Sequence, residues 1–211
     1  QSARSGKAKE SDSMENHVVE LVQPRHTLIG ENSILEIPQF LPRLEGTVTA
    51  LVVTDQGLVK IGTVKKVTDV LDRAGIRYWT YDGVQPNPSV GVVNKAREQY
   101  TRQGCNCIIA IGGGTVIDIA KAMAVAESGD CLDDLYDAMP NLERRHELVI
   151  IPTTCGTGSE MTNISVMNRT RMGTKMGLVS EAMYAGSAVL IPELLQGLPF
   201  GVFAASSIDA L

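Results

Sequence analysis

At 211 residues the chain is long enough for one full hydrophobic core and too short for two large domains. With 44% hydrophobic and 20% charged residues it has the composition of an ordinary globular protein, and a net charge of −5 without a basic cluster beyond the first ten residues argues against nucleic acid as a partner. No apolar run approaches the length that spans a bilayer, which argues against a membrane.

Residues 1–13 are small, polar and basic at three positions, and are expected to be a disordered tail or linker. They lack the apolar core of a secretory signal, and Glu10 and Asp12 argue against a transit peptide. With no methionine at position 1, the chain is expected to be a processed product or fragment, with Met14 as a possible natural start. Four cysteines, Cys105, Cys107, Cys131 and Cys155, form neither a disulfide framework nor a zinc spacing. Reduced thiols and a cytoplasmic location are the expectation.

From His17 to Leu28 an edge strand, or a pair broken by Pro24, is expected, followed by a proline-interrupted segment over Ile34–Leu44. Thr49–Thr54 reads as a buried strand ending at Asp55 and Gly57. Val64–Ala74 is an amphipathic helix closed by Gly75, Ile76–Tyr81 the next strand, and Val90–Gln103 a helix closed by Gly104. The stretch C-I-I-A-I-G-G-G-T-V-I-D-I-A-K-A-M-A-V, Cys107–Val125, is a strand that breaks on three glycines and restarts as a helix. Such a turn presents free N–H groups and the positive end of a helix dipole, which suits a phosphate. A tight structural turn, with Thr115 as N-cap and Asp118 completing a capping box, explains the same residues. The spacing lacks the third glycine of the dinucleotide fingerprint.

Alternation of strand and helix with short connections predicts an α/β fold, a Rossmann-like parallel sheet flanked by helices. Ligands of such sheets bind beyond the carboxyl ends of the strands, where Asp55, Pro86-Asn87-Pro88 and Gly112–Thr115 all fall. Asp55 fits a helix N-cap as well as a ribose ligand, and Asn87 fits a proline-flanked turn. Leu148–Ile151 is a fourth strand, running into P-T-T-C-G-T-G-S-E, whose hydroxyls and glycines suit a polar ligand or a solvated loop. Asn163–Met167 and Thr174–Val179 read as a β-hairpin bearing Lys175, for which solvation is the plain alternative. A strand at Ala188–Ile191, a helical turn at Pro192–Gln196 closed by Gly197, and the beginning of a helix at Phe203–Leu211 complete the chain.

The runs G-G-G-T-V-I-D-I-A-K, P-T-T-C-G-T-G-S-E-M-T, T-K-M-G-L and S-S-I-D-A-L together resemble the iron-containing, or group III, alcohol dehydrogenase family. Within it, C-G-T-G-S-E-M-T-N-I-S with I-P-E-L-L and L-P-F most resembles the 4-hydroxybutyrate dehydrogenases. The related dehydroquinate synthase and glycerol-phosphate dehydrogenase group shares the fold, but the P-T-T-x-G-T-G-S-E loop is foreign to it.

The resemblance implies a dinucleotide-binding domain over residues 14–205, with residues 206–211 the truncated start of an all-helical metal domain that is otherwise missing. By matching position it assigns Asp55 to the adenosine ribose of NAD, Asn87 to the adenosine side, and Gly113, Gly114 and Thr115 to the pyrophosphate. Thr153, Thr154 and Thr162 would line the nucleotide, Lys175 would reach a ribose or phosphate oxygen, and Leu194 and Gly197 would close over it. Asp209 matches the first ligand of a divalent metal, iron or zinc. The histidines that accompany it in the family have no counterpart, since His17, His26 and His146 all precede Asp209. The implied activity is hydride transfer between NAD and a short alcohol or aldehyde, 4-hydroxybutyrate and succinate semialdehyde, by a homo-oligomer when complete. No side chain here is assigned as a general acid or base. Phosphonoacetaldehyde or sulfoacetaldehyde reduction, and a noncatalytic nucleotide-binding fragment, are the alternatives.

Overall fold

The computed structural model describes residues 21–41, 47–127, 130, 132–139, 141–169 and 172–211. The expected tail at 1–13, the segment from His17 to 20, Cys131 and the tip of the hairpin at 170–171 lie outside the described residues.

Six strands, β1 (His26–Ile29), β2 (Thr49–Val53), β3 (Arg77–Tyr81), β4 (Cys107–Gly112), β5 (Glu147–Pro152) and β8 (Ser187–Leu190), form one sheet in the order β1-β8-β5-β4-β2-β3. Every pairing in it is parallel. β2, β4 and β5 are buried along nearly their whole length, as their continuous Val/Ile/Leu runs require of strands covered on both faces. Alternate residues feed two cores. Leu51, Ile108 and Ile150 face one that includes α4 (Val90–Arg102) and α5 (Gly114–Val125). Val52, Ile109 and Ile151 face the other, with α3 (Thr63–Arg73) and Ile37 of the short α1 (Ile37–Phe40).

The β-hairpin of β6 (Ile164–Arg169) and β7 (Thr174–Val179) stands apart from the main sheet. It packs Met167 and Leu178 into the first core and holds Ser165 fully buried against α5, where its hydroxyl donates to the Asp118 carbonyl at 2.8 Å. Helix α5 thus lies between the sheet and the hairpin, and it is buried from Val116 to Val125 except at Asp118.

Several local expectations change. The short helix α2 (Gln56–Lys60) is absent from the sequence pattern because Gly57 sits in its first turn and its five residues are too few to show a period. A further helix, α6, spans Leu132–Ala138. The final helix, α7 (Phe200–Asp209), begins three residues before the expected Phe203, directly after Pro199. Thr115 is not the N-cap of α5: Gly113 holds that position, and no side chain caps the helix. Strand β4 enters α5 through Gly113 alone, and a glycine has no side chain with which to cap the helix.

That junction is sterically closed. A Cβ on Gly112 would stand 2.5 Å from both Cβ and Cγ2 of Val116. Gly112→Ala should therefore lower stability by about 1–3 kcal/mol in urea unfolding. Val116→Gly in the same chain removes all three clashing atoms and should return part of that loss, and a simple sum of the two single effects would show that the clash is not the cause.

Candidate functional site

The strand order reverses its direction of growth between β2 and β4: from β2 the chain adds β3 on one side, and from β4 it adds β5 and β8 on the other. A crevice opens at the carboxyl ends of strands where such a reversal occurs, because the flanking loops part to opposite faces. A cavity of about 580 Å³ lies there. It is lined by Asp55 after β2, Asp82 and Val84 after β3, Gly113–Thr115 after β4, Thr153 and Thr154 after β5, and Leu198 and Val202 beside α7.

Each wall is fixed by the strand that ends in it. Thr54 donates its hydroxyl to the Ile111 carbonyl at 2.9 Å and its N–H to Tyr81 at 2.9 Å, binding three strand ends together. Asp55 caps α2, accepting the Leu58 N–H on Oδ1 at 3.0 Å. The cap therefore places the Asp55 carboxylate on the crevice wall. On the opposite side the Thr153 N–H is held by the Gly112 carbonyl at 3.1 Å. The turn itself needs its glycines for a close approach: a Cβ on Gly113 would lie 3.3 Å from Thr154, and one on Gly114 3.0 Å from Thr157. Among the described residues the N–H groups of Gly114 and Thr115 find no carbonyl partner, while those of Val116 and Ile117 turn back to Gly113.

Of the residues singled out from the sequence, Asp55, Gly113, Gly114, Thr115, Thr153 and Thr154 line this crevice. Five others do not. Asn87, with φ 57°, is exposed next to the lining residue Pro86, and its carbonyl accepts from Asn168 of the hairpin at 3.3 Å. Lys175 is exposed on β7 opposite Asn168. Leu194 is 3% exposed and packs in the core on the other face of the sheet. Gly197 is exposed, and its neighbours Leu198 and Pro199 supply the wall instead. The Thr162 hydroxyl is engaged with Lys121 at 3.0 Å and with the Ser159 carbonyl at 3.4 Å. Asp82, Val84 and Val202 carried no motif that could have marked them, and Leu198 entered only as the first residue of the L-P-F run, with no place in the site.

Behind the crevice two opposite charges sit one turn apart on α5, Lys121 buried and Asp118 half-buried. Burial pushes the Asp118 carboxyl up to about 6, against the pull of the Val166 N–H and the Lys121 ammonium. Burial likewise pushes Lys121 down to about 8, partly offset by Asp118 and Glu160.

The residues do not fit a metal centre. Asp209 is exposed at the end of α7, and among the described residues no three His, Cys, Asp or Glu side chains come together. His26 lies tilted against Phe40 and His146 against Tyr100. No helix among the described residues is long and apolar enough to cross a membrane.

A parallel sheet with its crevice at the reversal of strand order defines a Rossmann-like α/β domain. The iron-containing alcohol dehydrogenase family model matches residues 24–192, and the chain belongs to that family of oxidoreductases. The 4-hydroxybutyrate dehydrogenase of Clostridium kluyveri is 47% identical over 124 residues, 59% of this chain and 33% of that protein. The sulfoacetaldehyde reductase of Bilophila wadsworthia is 40% identical over 183 residues, 86% of this chain and 47% of that protein. Among solved structures, a 1,3-propanediol oxidoreductase superposes with a TM-score of 0.81 at 31% identity, over 92% of this chain and 50% of its own. The sulfoacetaldehyde reductase of Bifidobacterium kashiwanohense in complex with NAD+ superposes with a TM-score of 0.81 at 26% identity, over 92% and 51%. The chain spans between a third and about half of the length of these relatives.

One thiol stands at the rim. Cys155 is exposed, next in sequence to the lining Thr154, and hydrogen bonds with Ser206 and Ser207 lower its pKa, whereas burial pushes Cys105 up to about 11 and Cys107 up to about 12. In the native protein at pH 7.5 a maleimide should label Cys155 and spare Cys105 and Cys107, as read by peptide mass mapping. Equal labelling of the three would mean that the sheet is not closed around β4.

Proposed function

We propose that the crevice holds NAD and that the chain is the nucleotide-binding part of a metal-dependent dehydrogenase of short alcohols. The observation that carries this reading is the convergence, at one strand-order reversal, of a glycine turn with free N–H groups and a carboxylate at the next strand end. The Gly114 and Thr115 N–H groups, at the positive end of a twelve-residue helix, meet the pyrophosphate oxygens. Asp55 accepts hydrogen bonds from the adenosine ribose hydroxyls with the lone pairs that the Leu58 N–H leaves free. Thr153 and Thr154 offer hydroxyls, and Val84, Leu198 and Val202 give apolar walls that exclude water from the rings. Bound NAD supplies the hydride acceptor. Asn87, Thr162, Lys175, Leu194 and Gly197 remain proposed cofactor residues on the resemblance alone, and Asp209 a proposed metal ligand.

The substrate we infer is 4-hydroxybutyrate or its aldehyde, succinate semialdehyde, supported by the C-G-T-G-S-E-M-T-N-I-S run and by the 47% identity to the Clostridium enzyme. A second reading, sulfoacetaldehyde reduction, is favoured by the longer match to the Bilophila protein, which covers 86% of the chain. A cytoplasmic homo-oligomer is part of the proposal.

Calorimetric titration with NAD and NADP tests the site. NAD should bind more tightly, because a carboxylate at the ribose repels a 2′-phosphate. Asp55→Asn keeps an acceptor for the Leu58 N–H, so stability should stay within about 0.5 kcal/mol while the preference for NAD shrinks. An unchanged ratio in a folded Asp55→Asn protein would leave Asp55 as a helix cap and no more.

A separate expectation concerns turnover. Loaded anaerobically with ferrous iron or zinc, the 211-residue polypeptide should oxidise no NADH with succinate semialdehyde or sulfoacetaldehyde, since one carboxylate cannot supply the three or more protein ligands such an ion requires. Stoichiometric metal with sustained turnover would reveal ligands within this chain that the described residues do not bring together.

A further inference from the structure

Lys121 is a charged side chain with no exposed surface, set in the middle of α5. Its ammonium donates to the Thr162 hydroxyl at 3.0 Å and to the Ile164 carbonyl at 2.9 Å. Both acceptors belong to the segment that leads out of the P-T-T-C-G-T-G-S-E loop into β6. Thr162 passes its own hydrogen to the Ser159 carbonyl at 3.4 Å, and Ser159 is the residue whose hydroxyl would stand 3.3 Å from a Cβ on Gly114. A chain of contacts therefore runs from Lys121 through Thr162 and Ser159 to the glycine turn. The loop begins at Thr153 and Thr154 in the crevice wall and ends under the ammonium. One further bond, from the Ser165 hydroxyl to the Asp118 carbonyl, joins the same strand to the same helix one turn nearer the crevice.

We propose that Lys121 is a positioning residue for the nucleotide site: its buried ammonium ties the Thr153–Thr162 loop to α5, so that both walls of the phosphate end of the crevice are held in one geometry. The inference rests on the NAD reading above. Lys121 lies two turns below Gly114 and touches no nucleotide, so it acts through Thr162 and the loop. An ammonium donor makes hydrogen bonds about twice as strong as a neutral one. Losing its proton therefore loosens the loop without removing the side chain. Among the described residues the charges that act on it are Asp118 on α5 and Glu160 on the turn before Thr162. The Ile164 carbonyl faces it from β6, and β4, β5, α4 and the turn at Glu181–Met183 add no charge that acts on it.

The two consequences of deprotonation have opposite signs. Burial lowers the Lys121 pKa from 10.5 to about 8, so this group sheds its proton on folding in that window. The unfolded chain then binds more protons, and stability from this group rises between about pH 8 and pH 10.5. Nucleotide affinity falls over the same range, because the charge-assisted bonds to the loop weaken.

The test uses the 211-residue chain carrying Cys155→Ser, which removes the rim thiol from the titration, with and without Lys121→Met. NAD affinity is measured by calorimetry from pH 7 to pH 10, with urea unfolding beside it. At pH 7 Lys121→Met should bind NAD about tenfold more weakly. The parent's affinity should fall about threefold between pH 8 and pH 10 while its stability rises, and the variant's affinity should be flat. A lysine with only a structural role would move affinity and stability together. A folded Lys121→Met with parental affinity, or a parent whose affinity is constant from pH 7 to pH 10, overturns the proposal. Should Lys121→Met fail to fold, the parent's profile decides alone. A parent that binds no NAD at pH 7 overturns the nucleotide reading and this inference with it.

Discussion

Helix α5 has no free side. The sheet covers one flank and the β6–β7 hairpin the other, so the helix cannot shift along its axis without disturbing two packed layers. Its N-terminus is pinned by the junction with β4, where Gly112 lies so close to Val116 that no Cβ fits. The position of the first free N–H groups is therefore set by core packing and not by a flexible turn. That rigidity is what a phosphate site needs, since donors fixed in advance need not be reorganised when the anion arrives.

The same constraint explains why much of the fold was legible in the sequence. Strands covered on both faces have to be apolar throughout, and T-A-L-V-V, C-I-I-A-I-G and E-L-V-I-I-P announce themselves. Helices that cover them show a period, as Val64, Val67, Val70 and Leu71 do on α3. Elements that neither cover the sheet nor lie in it left no such mark. Helix α2 has five residues and a glycine, and its cap, Asp55, read equally well as a ligand. The structure shows the cap, and because a cap at the end of a parallel strand is by topology also at the mouth of the crevice, it leaves the same carboxylate where a ligand could reach it.

The crevice was legible only where chemistry and topology agree. Glycines and hydroxyls after β4 and β5 fall in it because strand ends must. Its apolar walls, Val84, Leu198 and Val202, are ordinary residues in loops or on α7, and nothing local separates them from solvent-facing ones. Leu194 illustrates the converse. It lies on a 3₁₀ turn after β8, close in sequence to the wall residues, but the turn directs it under the sheet into the core shared with Val189 and Ile191. Lys175 and Asn87 meet a similar limit: Lys175 is exposed on the hairpin and Asn87 on the loop between β3 and α4, and Asn168 stands opposite the first and donates to the carbonyl of the second.

Lys121 had a signal that periodicity could not show. In I-D-I-A-K-A-M-A-V the residues around the lysine are apolar or small except Asp118 one turn before it, so the helix offers it no broad solvated face to occupy. A lysine in such a run is either an error of register or a buried charge with partners, and the structure gives it Thr162, Ile164, Asp118 and Glu160. Burial of that kind is not a source of stability. Removing an ammonium and a carboxylate from water costs more than their attraction returns unless further hydrogen bonds complete the shell, and a well-packed apolar side chain would hold the same helix at least as firmly. What an apolar side chain could not do is fix the direction of the Thr162 hydroxyl and the height of the loop above the glycine turn. Core packing alone places α5, but the loop from Thr153 to Thr162 is held to it by polar contacts, so its geometry depends on the protonation state of one group in a way that the sheet does not.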